Sequence, residues 1–166
     1  MSANSRMSLA VHVLTWLAFD RRGTPKENAT SQQIATSVNT NPVVIRRCLG
    51  QLRDAGLVTV SHGRNGGWQL ARSAASITLR DVYRAIPDEP LFGMHASDPD
   101  AACYVGYGIQ PVLTGVYDRA TKALTDSFAQ TTVADVLRDT LKLFPFDEQG
   151  QETPEQDSDQ SASPVE

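Results

Sequence analysis

The chain has 166 residues, 40% of them hydrophobic, with two cysteines and a formal net charge of −4. That length holds one domain with an added element, and two cysteines make no disulfide framework for it. No apolar run approaches the roughly 20 residues of a membrane span, and no basic stretch leads into an apolar core at the N-terminus, so neither a membrane helix nor a secretion signal is expected and the expected location is the cytoplasm. The charge is unevenly placed. Residues 1–87 hold 11 Lys and Arg against 4 Asp and Glu, a net of +7, whereas residues 88–166 hold 4 against 15, a net of −11. A basic half joined to an acidic half points to an anionic partner for the first.

In chain order, Arg6 to about Arg22 carries Leu9, Val13, Trp16 and Leu17 at helical spacing, with Asn4 or Ser5 placed to cap the helix and Gly23-Thr24-Pro25 to end it. Thr30 or Ser31 opens a short second helix with Ile34, Ala35 and Val38, and Asn39-Thr40-Asn41 turns into a third. Asn41 can cap that third helix with its side-chain oxygen, and Pro42 at the first helical position loses no useful N–H. Val44, Ile45, Cys48, Leu49 and Leu52 recur at three- and four-residue steps and form its buried face, which leaves Arg46, Arg47, Gln51 and Arg53 mostly off it. Gly56 stops the helix. Leu57-Val58-Thr59-Val60 is a β-type run, His62-Gly63-Arg64-Asn65-Gly66-Gly67 a turn, and Trp68-Gln69-Leu70 the returning strand.

Beyond the hairpin, Thr78 and Asp81 are spaced as a capping box for a fourth helix that stops at Ile86-Pro87. Pro87 to about Gly108 reads as an irregular loop, broken by Pro90, Gly93, Pro99 and Gly106. From Ile109 a long helix is expected, with Ile109, Leu113, Val116, Ala120, Ala123 or Leu124, and Phe128 close to a heptad seam. Thr132 with Asp135 caps a last helix reaching Phe144. From Asp147 onward there are seven acidic residues and no basic ones, a composition expected to stay disordered.

A short helix, a tight turn and a capped helix form a helix-turn-helix, whose second member lies in the major groove, and an arginine-tipped hairpin beside it is a wing. The expected fold is mainly α with a small β wing. It comprises a winged helix-turn-helix DNA-binding domain over 1–87, an effector or sensor loop over 88–108, dimerisation helices over 109–146 and the acidic tail over 147–166.

The order of these pieces, with "LRDAGLV", "GRNGGWQLAR" and "ITLRDVYRAI", resembles the Rrf2 family of winged-helix regulators over about residues 5–144. The resemblance implies a third helix in the major groove, a wing at the adjacent minor groove and two chains paired through the long helix. Carried over by position, Thr40, Asn41, Val43, Val44, Arg46 and Arg47 stand where the family reads or positions DNA, and Arg64 and Asn65 stand at the wing tip. The family's cluster-binding members place three cysteines in the loop before the long helix. This loop has only Cys103, and with His95 it cannot supply the roughly four ligands of a [2Fe–2S] cluster. No iron–sulfur cluster, metal or other cofactor is therefore expected. The loop is more similar to a cluster-free subgroup described as candidate thiol or small-ligand sensors.

Cys48 falls in the apolar register of the third helix and reads as a core residue. Cys103 is either a loop residue without a duty or a sensor thiol, and the neighbouring Asp98 and Asp100 are expected to raise its pKa. Phe92, Met94, Tyr104 and Tyr107 could line a pocket for a small-molecule effector or simply anchor the loop. No Ser-His-Asp, paired-carboxylate or phosphate-loop arrangement is present, which argues against an enzyme. The function expected is a sequence-specific, homodimeric transcriptional repressor that binds a pseudo-palindrome in double-stranded DNA and responds to a thiol or redox signal or a small ligand. The alternative is a winged-helix protein adaptor, which would not need the arginine set.

Overall fold

The computed structural model describes residues 3–19, 29–63, 66–86 and 91–143. Its elements run α1 (Ala3–Ala18), α2 (Ser31–Val38), α3 (Pro42–Asp54), β1 (Val58–Ser61), β2 (Gly67–Leu70), α4 (Leu79–Ala85), α5 (Tyr104–Phe128) and α6 (Val133–Lys142). The architecture is the expected one, mainly helical with one small antiparallel hairpin. A 3-10 turn at Ala74–Ser76, absent from the sequence reading, leads into α4. The 147–166 tail, Gly23-Thr24-Pro25 and the expected end of the last helix at Phe144 lie outside the described residues.

Helix α1 differs from expectation at both ends. Asn4 and Ser5 lie inside it instead of capping it, and it stops at Ala18 instead of near Arg22. Its buried face is also turned. Ala10, Val13 and Leu14 are fully buried, while Leu9, Trp16 and Leu17 pack at the margin. The cause is that α2, α3, α4 and α6 all pack on this one helix, so it lies among its neighbours and does not float on one of them. Ile34, Ile45, Leu49, Leu52, Ile77, Val82 and Val133 complete the core around it.

Three helices start on reciprocal capping boxes. Of the two candidates at α2, the cap is Thr30: its hydroxyl accepts the Gln33 N–H at 3.2 Å and its own N–H donates to Gln33 Oε1 at 2.9 Å. Thr78 with Asp81 opens α4, and Thr132 with Asp135 opens α6. The last two lie side by side. The Leu79 N–H donates to the Thr131 carbonyl and the Val133 N–H to the Ile77 carbonyl, both at 2.9 Å, so an antiparallel bridge ties the start of α4 to the start of α6.

Helix α5 begins at Tyr104, five residues before the expected Ile109. Gly106, read as a breaker, lies inside the helix, where a Cβ would collide with the Asp100 carbonyl, so the close approach of the preceding loop requires glycine. Pro111 also lies inside, removing one N–H in a stretch of exposed helix where water can serve the orphaned carbonyl. None of the 25 residues of α5 is buried. Its C-terminal half meets α4, where Phe128 packs against Tyr83 with ring centroids 5.8 Å apart, so Phe128 belongs to the chain's own interior contacts and not to a free seam. The open side is Val105, Ile109, Val112 and Val116, spaced four, three and four residues apart; Val105 and Val112 are 68% and 63% exposed. Helix α6 then folds back on α1, with Val133 fully buried, so α5 and α6 do not form one separate unit.

Asp135 is held down to about 2, first by the Thr132 hydroxyl, then by the Thr132 N–H and the Arg138 guanidinium. A carboxylate depressed below its ordinary 3.8 contributes stability that is complete above that value and is lost as pH falls from about 4 through about 2. Thr132→Ala is expected to cost about 1 kcal/mol in chemical denaturation at pH 7. The gap in melting temperature between wild type and Asp135→Asn should shrink as pH is lowered from about 4 to about 2, and a gap that stays constant would show that the carboxylate charge contributes nothing.

Candidate nucleic-acid interface

The turn between α2 and α3 is closed by backbone hydrogen bonds. Asn39 adopts φ +55°, its N–H reaching the Thr36 carbonyl, and the Thr40 N–H donates to the Ala35 carbonyl at 3.0 Å. Asn41 Oδ1 accepts the Val43 N–H at 2.8 Å, and Pro42 takes the first helical position, as the sequence implied. This pair of contacts defines where α3 starts and how it leaves α2.

Helix α3 buries Ile45, Cys48, Leu49 and Leu52. At 3.6 residues per turn the opposite side is Val43, Arg46, Arg47 and Gly50. Val43 is 59% exposed, both arginines are exposed, and Thr40 and Val44 are half-buried at the margin. Among the described residues Arg46 and Arg47 have no acidic partner, whereas Arg53 is clamped to Asp54 at 2.8 Å and Arg72 to Asp81 at 2.9 Å. Two uncommitted cations thus stand on the solvent face of a rigid, capped helix.

Gly50 is the residue that the sequence reading passed over. A Cβ there would meet nothing within 4 Å. A glycine inside a helix costs about 1 kcal/mol relative to alanine, and no packing within the chain requires this one. Its position among Val43, Arg46 and Arg47 was readable from helical spacing; that the space a side chain would take there is open among the described residues was not.

The wing pairs Val58 with Leu70, Thr59 with Gln69, Val60 with Trp68 and Ser61 with Gly67. Trp68 is bonded on its other side to Ala29, a third short strand contact that the sequence did not suggest. At the tip, a Cβ on Gly66 would lie 2.6 Å from the Ser61 carbonyl oxygen, and Gly63 sits at φ +110°, so the chain reverses only with glycine at both places. Arg64 and Asn65 lie outside the described residues.

The two cysteines diverge. Cys48 is buried, which pushes its thiol up to about 11. Cys103 is exposed at the N-cap of α5, and the N–H groups of Gly106 and then Val105 hold its thiol below the usual value. The rise expected from Asp98 and Asp100 is not found. Asp100 is instead turned to the backbone, its carboxylate accepting the Ala102 N–H at 2.9 Å and its carbonyl the Cys103 N–H at 3.1 Å. Of the aromatic residues expected at a pocket, Tyr104 and Tyr107 face solvent at 100% and 77% exposure, and Phe92 stacks on Tyr117 at 4.9 Å.

Residues 3–139 match a family described as Rrf2, iron-dependent transcriptional regulator. The chain belongs to the Rrf2 family. It is 36% identical over 135 residues to YwnA of Bacillus subtilis, whose name places it among HTH-type transcriptional regulators; the match covers 81% of this chain and 96% of YwnA. A similarly named protein of Mycobacterium tuberculosis, Rv1287, is 30% identical over 142 residues, covering 82% of this chain and 81% of its own length. Among solved structures, a transcriptional regulator from Lactobacillus plantarum is 28% identical with a TM-score of 0.66, covering 83% of this chain and 91% of that one. CymR of B. subtilis, at 21% identity, a TM-score of 0.54 and coverage of 81% and 95%, shares the fold.

The family consists of transcriptional regulators and not enzymes, which supports DNA as a partner of this chain. No described helix is long and apolar enough to cross a membrane. The described loop offers Cys103 and His95 as thiol and imidazole, and among the described residues no three His, Cys, Asp or Glu side chains gather into one group.

Titration with a chromogenic disulfide at pH 7.5 should modify one thiol per chain quickly, and Cys103→Ser should remove that fast phase, with Cys48 appearing only on denaturation. Two fast thiols would mean that α3 opens readily. Gly50→Ala should raise stability by about 0.5–1 kcal/mol, measured by urea unfolding.

Proposed function

We propose that this Rrf2-family chain is a homodimeric, sequence-specific repressor that reads a pseudo-palindromic operator with α3 and steadies it with the wing. The observation that carries this reading is the solvent face of α3, where Val43, Arg46 and Arg47 stand exposed with both guanidinium groups lacking acidic partners. Arginine pairs bidentately with guanine, and an apolar side chain such as Val43 suits a thymine methyl group. Thr40 and Asn41 set the entry of the helix and Val44 its margin, while Arg64 and Asn65 are assigned to the wing's contact with the neighbouring groove. Gly50 lets a phosphate strand approach α3 closely, which gives this otherwise unfavourable helix residue a use.

Pairing is assigned to the open side of α5, Val105, Ile109, Val112 and Val116, a stripe too apolar to leave in water over about three turns of helix. Two-fold pairing sets the half-sites about one turn of DNA apart. The signal is assigned to Cys103 or to a small ligand near it. A thiolate at the head of α5 is well placed for oxidation or alkylation, and a modified Cys103 acts only by favouring one spacing of the two α3 helices over another. No cofactor is assigned, and the protein should purify colourless.

Selection of DNA from a random pool with the purified chain is the decisive experiment. It should enrich a two-fold site; no enrichment by a folded protein would leave the adaptor reading standing. On the selected site, Arg46→Ala or Arg47→Ala should cost about 1–3 kcal/mol, with relaxed preference at one base if the contact is to guanine. Unchanged binding in the double variant would remove α3 as the reader. Val116→Glu should yield monomers in light scattering with weakened operator binding, and a monomeric wild type at micromolar concentration would end the two-fold assignment. Operator affinity of wild type and Cys103→Ser, each with and without a thiol oxidant, should differ only for oxidised wild type.

A further inference from the structure

Where α5 meets α4, the chain forms a cleft of about 480 Å³, within the range of small-molecule sites. Three aromatic rings line it: Tyr83 from α4, Phe92 from the segment before α5, and Tyr117 from α5 itself. Leu91 adds apolar surface, and Asp118 and Lys122 supply the charges. The two charges are not equivalent. The Lys122 ammonium is already engaged by Asp126 one helical turn on. Asp118 has no hydrogen-bond or ion-pair partner among the described residues. The uncommitted charge in an aromatic cleft is therefore negative.

We propose that this cleft binds lipophilic organic cations, such as aryl amines or quaternary onium compounds, with Asp118 as counter-ion and the Tyr83, Phe92 and Tyr117 rings around the cationic centre. Aromatic faces carry negative charge density and attract a cation strongly once it is desolvated. An anion would meet Asp118 with only an already engaged lysine to answer it. A neutral guest would gain nothing from the Asp118 charge. The other nearby cations do not line the cleft: Arg80 acts on Asp126 from α4, and the Arg119 guanidinium runs back toward Gly115. Residues 88–166, with a net charge of −11, add a field of the same sign.

The location gives such a ligand leverage. Helix α4 packs on the reading helix α3 as well as on α5, so an occupant wedged between α4 and α5 changes the angle between the pairing stripe and the reading face. This effector role rests on the DNA-binding reading above; the binding site itself does not.

Tetraphenylphosphonium and tetraphenylborate have the same shape and opposite charge. Calorimetric titration of the full chain should show the phosphonium binding at least about tenfold more tightly than the borate. Asp118→Asn and Tyr117→Leu should each weaken the phosphonium about fivefold or more, whereas Lys122→Gln should not weaken it. Asp118 is exposed, so its variant is expected to fold, and circular dichroism checks both. Equal binding of the two ions, binding of neither, or undiminished phosphonium binding by Asp118→Asn would overturn the site. Saturating phosphonium should shift operator affinity of wild type but not of Asp118→Asn. An unchanged affinity overturns the effector role, and a chain that binds no DNA overturns the function proposed above while the titration still decides the site.

Discussion

The geometry between α3 and α5 depends on one short contact, the antiparallel bridge between residues 77–79 and 131–133. Residues 77–81 and 131–135 hold two helix starts, two capping boxes and two fully buried side chains, Ile77 and Val133. Helix α5 leaves the body and must return; the bridge sets where it returns. Since α4 packs on α3 and α6 on α1, a displacement of α5 is felt by the body through this point and through the ring contact of Tyr83 with Phe128. Along the rest of α5, Tyr117 stacks on Phe92 and Gly106 meets the Asp100 carbonyl, and none of its residues is buried.

That arrangement separates rigidity from responsiveness. The core around α1 is closed on all sides by apolar residues, and α3 is capped at its start and packed along one face, so its exposed arginines are carried on a stiff support. Precision of this kind suits base recognition, where a bidentate contact tolerates little displacement. The elements around the start of α5 are the opposite: exposed, with a thiol held below its usual pKa and an aromatic cleft farther along the helix. Regulatory motion is drawn from the less stable parts of a fold.

Cys103 illustrates how position overrides composition. Two aspartates nearby in sequence suggested a sluggish thiol. In the fold, Asp100 faces the backbone and the N-terminal N–H groups of a 25-residue helix face the sulfur, so the local field is positive and the thiol is held down.

What the sequence by itself determined was local. The caps at Asn41, Thr78 and Thr132, the buried register of Ile45, Cys48, Leu49 and Leu52, the hairpin and the order of elements all rest on hydrogen bonds or periodicities spanning a few residues and are found, whereas Val44, read on the same buried face, lies half-buried at its margin. The family resemblance added the use of those elements. Only the tertiary structure decided which face of α1 is buried, that Thr30 caps α2, that α5 starts at Tyr104 against the Asp100 carbonyl, that Trp68 pairs with Ala29, and that α6 belongs to the body. Each of these, apart from the choice of cap, depends on surfaces brought together from distant parts of the chain or on a loop folding over a helix end. So does the significance of Gly50, whose empty surroundings are visible only once every other element has taken its place.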